Sequence, residues 1–140
     1  MPTRPAVHLA VAVDDLSRAR QFYGDVLGLD EGRSTEQWID WDLHGHQLVT
    51  HVVAGGPAAR GTSSVDGHAV PIPHFGLLLS TEGFHELAAR LREAGTGFLI
   101  EPYLRFPGEP AEQWTMFLLD PCGNALEFKA FRDESKVFTP

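Results

Sequence analysis

His8, His74 and Glu127 are the side chains of this sequence whose types and placement combine into a chemistry. Two imidazoles and a carboxylate form a recognised ligand set for a divalent metal. They occupy one side of the ion and leave positions open for substrate, oxygen or water, as in two-histidine, one-carboxylate iron sites. A repeat ties these distant residues together. Pro5-Ala6-Val7-His8-Leu9-Ala10-Val11 laid over Pro71-Ile72-Pro73-His74-Phe75-Gly76-Leu77 keeps one offset of 66, so the two histidines occupy equivalent positions. Farther along, Glu36-Gln37-Trp38 returns as Glu112-Gln113-Trp114 at an offset of 76. Gly45-His46-Gln47-Leu48-Val49 then matches Gly123-Asn124-Ala125-Leu126-Glu127 at 78. An ordered self-similarity that keeps its strands and varies its loops is the mark of a duplicated supersecondary unit.

The elements that must position these residues follow from hydrophobic period. Val7, Leu9, Val11 and Val13 alternate with His8, Ala10 and Ala12, which predicts a strand whose apolar face meets a helix and whose other face carries the histidine. Asp15 is placed to cap that helix, Leu16, Ala19, Phe22, Tyr23, Val26 and Leu27 form its buried stripe, and Gly28 ends it. Strands near 30–35, 37–43 and 46–53, with His44-Gly45 as the last turn, complete a βαβββ module over residues 5–53. Residues 54–70 have no periodicity and many breakers, and are expected to be a linker or mobile loop.

The second module, residues 71–131, repeats the order. A strand over 74–79 leads to a helix capped at Thr81, with Phe84, Leu87, Ala88 and Leu91 as its stripe and Gly95 as its close. Strands near 97–104, 113–119 and 124–130 follow. Asp120-Pro121-Cys122-Gly123-Asn124 is a strong turn signal before the last strand, and the tail 132–140 has no assigned element. Leu126 and Phe128 are the apolar parity of that strand, so Glu127 faces the same side as the histidines. A carboxylate buried there is costly unless a cation compensates it.

Other polar residues divide by the same logic. His51 shares parity with Gln47 and Val49 and is either an acid/base group beside the metal or a lining residue. Lys129, its repeat-mate, either pairs with a substrate anion or reaches solvent. His44, His46, His68 and His85 fall in turns, the linker or a helix and read as solvated. Trp38, Trp114, Tyr103 and Phe106 are either stacking surfaces or core.

Composition bounds the function. With 140 residues, 43% of them hydrophobic, one domain with a proper core is expected. A formal net charge of −8 without a basic run opposes binding to nucleic acid or an anionic membrane. Cys122 is the single cysteine, and Met1-Pro2-Thr3-Arg4-Pro5 lacks a signal-peptide core, so a cytoplasmic protein is expected. No apolar stretch is long enough for a membrane span.

With repeat and triad in place, the sequence resembles the vicinal oxygen chelate superfamily of glyoxalases, bleomycin- and fosfomycin-resistance proteins and extradiol dioxygenases. The resemblance covers residues 5–131. Its motifs are His8, Phe22-Tyr23-Gly24-Asp25-Val26-Leu27-Gly28-Leu29, His74 and Leu119-Asp120-Pro121-Cys122-Gly123-Asn124-Ala125-Leu126-Glu127. It implies an α+β fold of two tandem βαβββ modules, a curved mixed sheet forming a cup around a divalent metal that chelates two adjacent oxygens of a small-molecule substrate. It also implies a homodimer. Glyoxalase I members place a fourth ligand where this chain has Val49, and extradiol enzymes commonly carry Tyr where Phe117 stands. The implied activity is a metal-dependent, extradiol-dioxygenase-like enzyme holding Fe(II) or Mn(II) on His8, His74 and Glu127, with Zn(II) or Ni(II) as further candidates and His51 handling protons. The alternatives are a metal-dependent lyase, isomerase or thiol transferase, and a metal-free drug-sequestering protein.

Overall fold

The computed structural model describes residues 3–140. The α+β architecture is present as two four-stranded mixed sheets of the same topology, in which the first strand of each module lies parallel to its last and the spatial order is first, fourth, third, second. Two compact units carry them. One is the chain up to Ala59 together with Asp120–Asn124; the other is Arg60–Leu119 with Ala125–Pro140.

In the first unit the strands are β1 (His8–Val13), β2 (Asp30–Ser34), β3 (Trp38–Leu43) and β4 (His46–Val52). The period-two expectation holds. Val13, Ile39, Trp41, Leu48 and Thr50 are buried on one face against Ala19, Phe22 and Tyr23 of the helix. Asp15 caps that helix as expected, accepting a hydrogen bond from Arg18 N–H. After one α-helical turn (α1, Leu16–Ala19) the backbone widens to a π-helix over Arg20–Val26, a departure from the regular helix expected.

The Asp120–Asn124 turn is a polar node of this unit. The Tyr23 hydroxyl, fully buried, donates to Asp120 Oδ2 at 2.6 Å, and Cys122 and Asn124 N–H donate to Oδ1 at 2.9 and 2.8 Å. Burial, reinforced by the Asp120 charge, pushes the Tyr23 phenol well above its ordinary pKa, which keeps it a hydrogen-bond donor. Asn124 then donates to the Ala12 carbonyl at 2.7 Å, fixing the turn to β1.

In the second unit, β7 (Phe75–Leu78) is followed by α2 (Thr81–Glu93) and strands β8 (Phe98–Arg105), β9 (Gln113–Leu119) and β10 (Ala125–Phe131). Ser80, not Thr81, is the N-cap: its backbone is extended and its hydroxyl accepts from Gly83 N–H at 3.0 Å, so Thr81 is already the first helical residue. Phe84, Ala88 and Leu91 are buried, as are Met116, Leu118, Leu126 and Phe128 on the sheet. The tail adds only a 3₁₀ turn, Glu134–Lys136.

The expected linker is corrected by the structure. Residues within 54–70 form most of an antiparallel hairpin, β5 (Gly61–Val65) with β6 (His68–Ile72). Its turn is Asp66-Gly67, both with positive φ (50° and 78°), the geometry that a two-residue hairpin demands. His68 accordingly lies on a strand beside the Tyr103 ring, 5.2 Å between centroids, rather than in a solvated loop. No helix among the described residues is long and apolar enough to cross a membrane.

Candidate functional site

The polar residues converge in the second unit. Glu127 lies in register with Gly76 on one side and Phe117 on the other, so its side chain leaves the same face as Thr115, Lys129 and Tyr103. His74 immediately precedes β7 on the parity of Gly76 and reaches the same place. These residues line a cavity of about 180 Å³ whose opposite wall comes from the hairpin through Ser63, Val65, Val70 and Ile72.

At its centre His74 Nε2 stands 3.1 Å from Glu127 Oε1, with the two side chains 23% and 12% exposed. The second imidazole nitrogen is spoken for. His74 Nδ1 lies 2.7 Å from the Pro71 carbonyl, an oxygen that only accepts, so Nδ1 carries a proton and Nε2 is the nitrogen turned to the carboxylate. Glu127 Oε2 accepts from the Thr115 hydroxyl at 2.5 Å. An imidazole nitrogen and a carboxylate oxygen 3.1 Å apart in a sheltered site call for a cation between them, a proton or a metal ion. The donor set fits a divalent metal: an imidazole fixed by a carbonyl and a carboxylate fixed by a hydroxyl are the outer supports that metal ligands characteristically receive.

His8 lies in the first unit, exposed on β1, in register with Gln47. Its Nδ1 is 2.8 Å from Gln47 Oε1, which leaves Nε2 as the nitrogen without a partner inside that pair. Two of the three predicted ligands thus adjoin; among the described residues no group of three His, Cys, Asp or Glu side chains is gathered closely enough to hold an ion. Val49 is buried and faces the His8 side of its sheet, the parity expected of it. His51 is on the same face, exposed, in register with Ala12 and Trp38.

Several residues that matter here carried weak or unused sequence signals. Thr115 is recoverable from β9 alternation. Asp66 is recoverable from its Asp-Gly turn: its carboxylate accepts from the Tyr103 hydroxyl at 2.9 Å and from Arg105 Nε at 2.6 Å, tying the hairpin tip to β8. The Tyr103 hydrogen bond and then the Arg105 guanidinium hold the Asp66 carboxyl below its ordinary pKa. Trp114 packs against Phe84 and His85 of α2, centroids at 6.1 and 4.9 Å, so it is core on the helix side. Phe117 sets its ring edge-on to His74 at 5.1 Å.

No curated protein matches this sequence. Solved structures do. A glyoxalase/bleomycin resistance protein/dioxygenase from Alicyclobacillus acidocaldarius is 31% identical, with 96% of this chain and 97% of that one covered and a TM-score of 0.75. The genomically encoded fosfomycin resistance protein FosX from Listeria monocytogenes (14% identity, 98% and 100% covered, TM-score 0.70) shares the fold. So does lactoylglutathione lyase from Agrobacterium tumefaciens (17%, 92% and 96%, 0.62). A family model matches residues 6–128, nearly the whole repeat, and with the paired sheets and the histidine–carboxylate site it establishes that the chain belongs to the Glyoxalase/Bleomycin resistance protein/Dioxygenase superfamily.

Proposed function

We propose that this protein is a divalent-metal enzyme acting on a small substrate with two adjacent oxygens, with His74, Glu127 and His8 as the metal ligands. The observation that carries the proposal is the 3.1 Å approach of His74 Nε2 to Glu127 Oε1, with each group held from behind by the Pro71 carbonyl and the Thr115 hydroxyl. A bound divalent ion supplies Lewis-acid polarisation of the substrate oxygens. Around it, the Pro71 carbonyl orients the imidazole, Thr115 holds the second carboxylate oxygen, and the hairpin residues Val65, Val70 and Ile72 supply an apolar wall that restricts water.

Within that frame the leading assignment is extradiol-like oxygenation with Fe(II) or Mn(II). It is supported by the three-ligand set, since hydrocarbon Val49 occupies the position of a fourth ligand. His51 is the proposed proton-handling residue, and a homodimer the proposed assembly. A second assignment, a lyase, isomerase or thiol transferase, is favoured by Phe117. It packs on His74 in the position where ring-cleaving relatives commonly carry a phenol, and has no hydroxyl to offer a reacting oxygen.

A proton shared between His74 and Glu127 would also account for that approach, so elemental analysis of protein purified without a His-tag is the deciding measurement. Near one equivalent of a transition metal per chain is expected; metal-free protein that takes up none on reconstitution overturns the proposal. Oxygen uptake by iron-loaded protein across a catechol panel then separates the two assignments. Absence of uptake removes oxygenation and leaves Lewis-acid chemistry.

A further inference from the structure

The polar groups that line the second-unit cavity are almost all committed to one another. Tyr103 and Arg105 are held by Asp66, Thr115 by Glu127, and His74 by the Pro71 carbonyl and Glu127. Lys129 is the exception. It stands two residues beyond Glu127 on the same face of β10, opposite Thr115, and lines the cavity. Among the described residues no carboxylate lies within ion-pair distance of its ammonium group, whose recorded neighbour is the Phe131 ring, 5.8 Å away. Glu127 forms no ion pair with it; its oxygens are engaged by His74 and Thr115.

A half-buried ammonium beside a committed carboxylate leaves the site short of negative charge. Building on the metal assignment above, the count is two positive charges from the ion, one from Lys129 and one negative from Glu127, a surplus of two. A neutral diol that released one proton to solvent on binding the ion would balance only half of that. We infer that the substrate carries a separate anionic group, a carboxylate or another oxyacid, and that Lys129 binds it while the adjacent oxygen pair meets the metal. The volume, about 180 Å³, is below the range of drug-sized ligand sites, so this is a small oxyacid.

Two matched pairs of chelators test this, catechol with 3,4-dihydroxybenzoate and acetohydroxamate with malonomonohydroxamate. Within each pair the chelating oxygens are the same and only the carboxylate is added. Affinity is measured by calorimetry on metal-loaded wild type, Lys129→Met and Lys129→Arg, with metal content determined on the same samples. In wild type at least one carboxylated member is expected to bind about tenfold or more tightly than its neutral partner. That preference should vanish in Lys129→Met, which keeps the apolar stem, and persist in Lys129→Arg. Equal affinities within both pairs, no binding of either acid, or a preference unchanged in Lys129→Met overturns the inference. Loss of metal from wild type is a separate result and overturns the metal assignment instead.

Discussion

The two modules use the same strand pairing to opposite ends. In the first, β4 sets Val49 between Ala10 and Asp40; in the second, β10 sets Glu127 between Gly76 and Phe117. Carboxylate and hydrocarbon have exchanged strands. In the first module the acid, Asp40, approaches Arg33 only at 4.0 Å, and His8, on the neighbouring row of the sheet, is exposed with Gln47 as its partner. In the second the acid is on the central strand, tied to His74 and Thr115 and roofed by the β5–β6 hairpin. A duplicated scaffold has thus kept one histidine position in both copies and joined a carboxylate to that histidine in only one. The lesson is that equivalent positions in a repeat can share a ligand atom without sharing an environment.

The most severe way to break this asymmetry is to remove its charged centre. His74→Ala and Glu127→Ala are each expected to abolish metal retention, because the remaining ligands hold an ion poorly. Elemental analysis after dialysis reads the result, and full stoichiometry in either variant would remove that residue from the ligand set. Val49→Ala in the first module should leave metal content at the wild-type level.

Next in size is the residue that lets the second module close. A Cβ built on Gly76 would sit 1.6 Å from the Glu127 carbonyl oxygen, a backbone atom that cannot swing aside. Its repeat-mate in the first module is Ala10, which accommodates a methyl group opposite Val49. Gly76→Ala should therefore force β7 from β10, costing about 1–3 kcal/mol as overpacking does, or roughly 3–12 °C in melting temperature. Metal affinity should fall with it, since the same spacing brings His74 to Glu127. A thermal melt indistinguishable from wild type would show that the strands do not need that approach.

How far such contrasts can be read from sequence depends on whether they are periodic. The succession of strands and helix in each module, the parity of Glu127 and the equivalence of Val49 with Glu127 follow from alternation and from the repeat, which survive in residue types. The hairpin does not follow from alternation, because Gly61, Thr62, Ser63 and Ser64 expose polar or small side chains and give no apolar period; only Asp66-Gly67 signals it. The π-helical widening after Ala19 left no mark either, since Phe22, Tyr23 and Val26 satisfy a 3.6-residue stripe equally well. The tautomers of His8 and His74 lie beyond sequence altogether: one depends on a carbonyl three residues back and the other on an amide 39 residues away.

Thr115 sharpens the comparison more gently. Its hydroxyl fixes Glu127 Oε2 at 2.5 Å, an outer support of the kind whose loss typically lowers metal affinity about 10–100-fold. Thr115→Val keeps the shape and deletes the hydroxyl. Competition with a calibrated chelator measures the change, and Thr115→Ser should recover most of it. Thr50, buried on the helix-facing side of the first sheet, where its hydroxyl accepts from Trp41 Nε1 at 3.1 Å, is the control: Thr50→Val should alter stability and leave metal affinity unchanged.

The smallest expected effect concerns the roof that only the second module possesses. Asp66 fixes the hairpin tip through Tyr103 and Arg105, and those partners hold its pKa below the ordinary 3.8. A depressed carboxylate pKa contributes stability that is present above the unfolded value and lost as pH falls through the folded one. The latch should therefore be constant from neutrality down to about pH 4 and weaken only below 3.8. Amide-exchange protection of β5 and β6, corrected for the intrinsic rate, should be lower in Asp66→Asn than in wild type at pH 7, and the difference should close below that value. The amides of β3 and β4, which have no such cover, should show no difference at either pH. If the β5 and β6 amides exchange alike in both proteins at pH 7, the roof is held by the apolar contacts of Val65 and Val70 with Ile100, Tyr103 and Phe117, and the Asp66 contacts add nothing measurable.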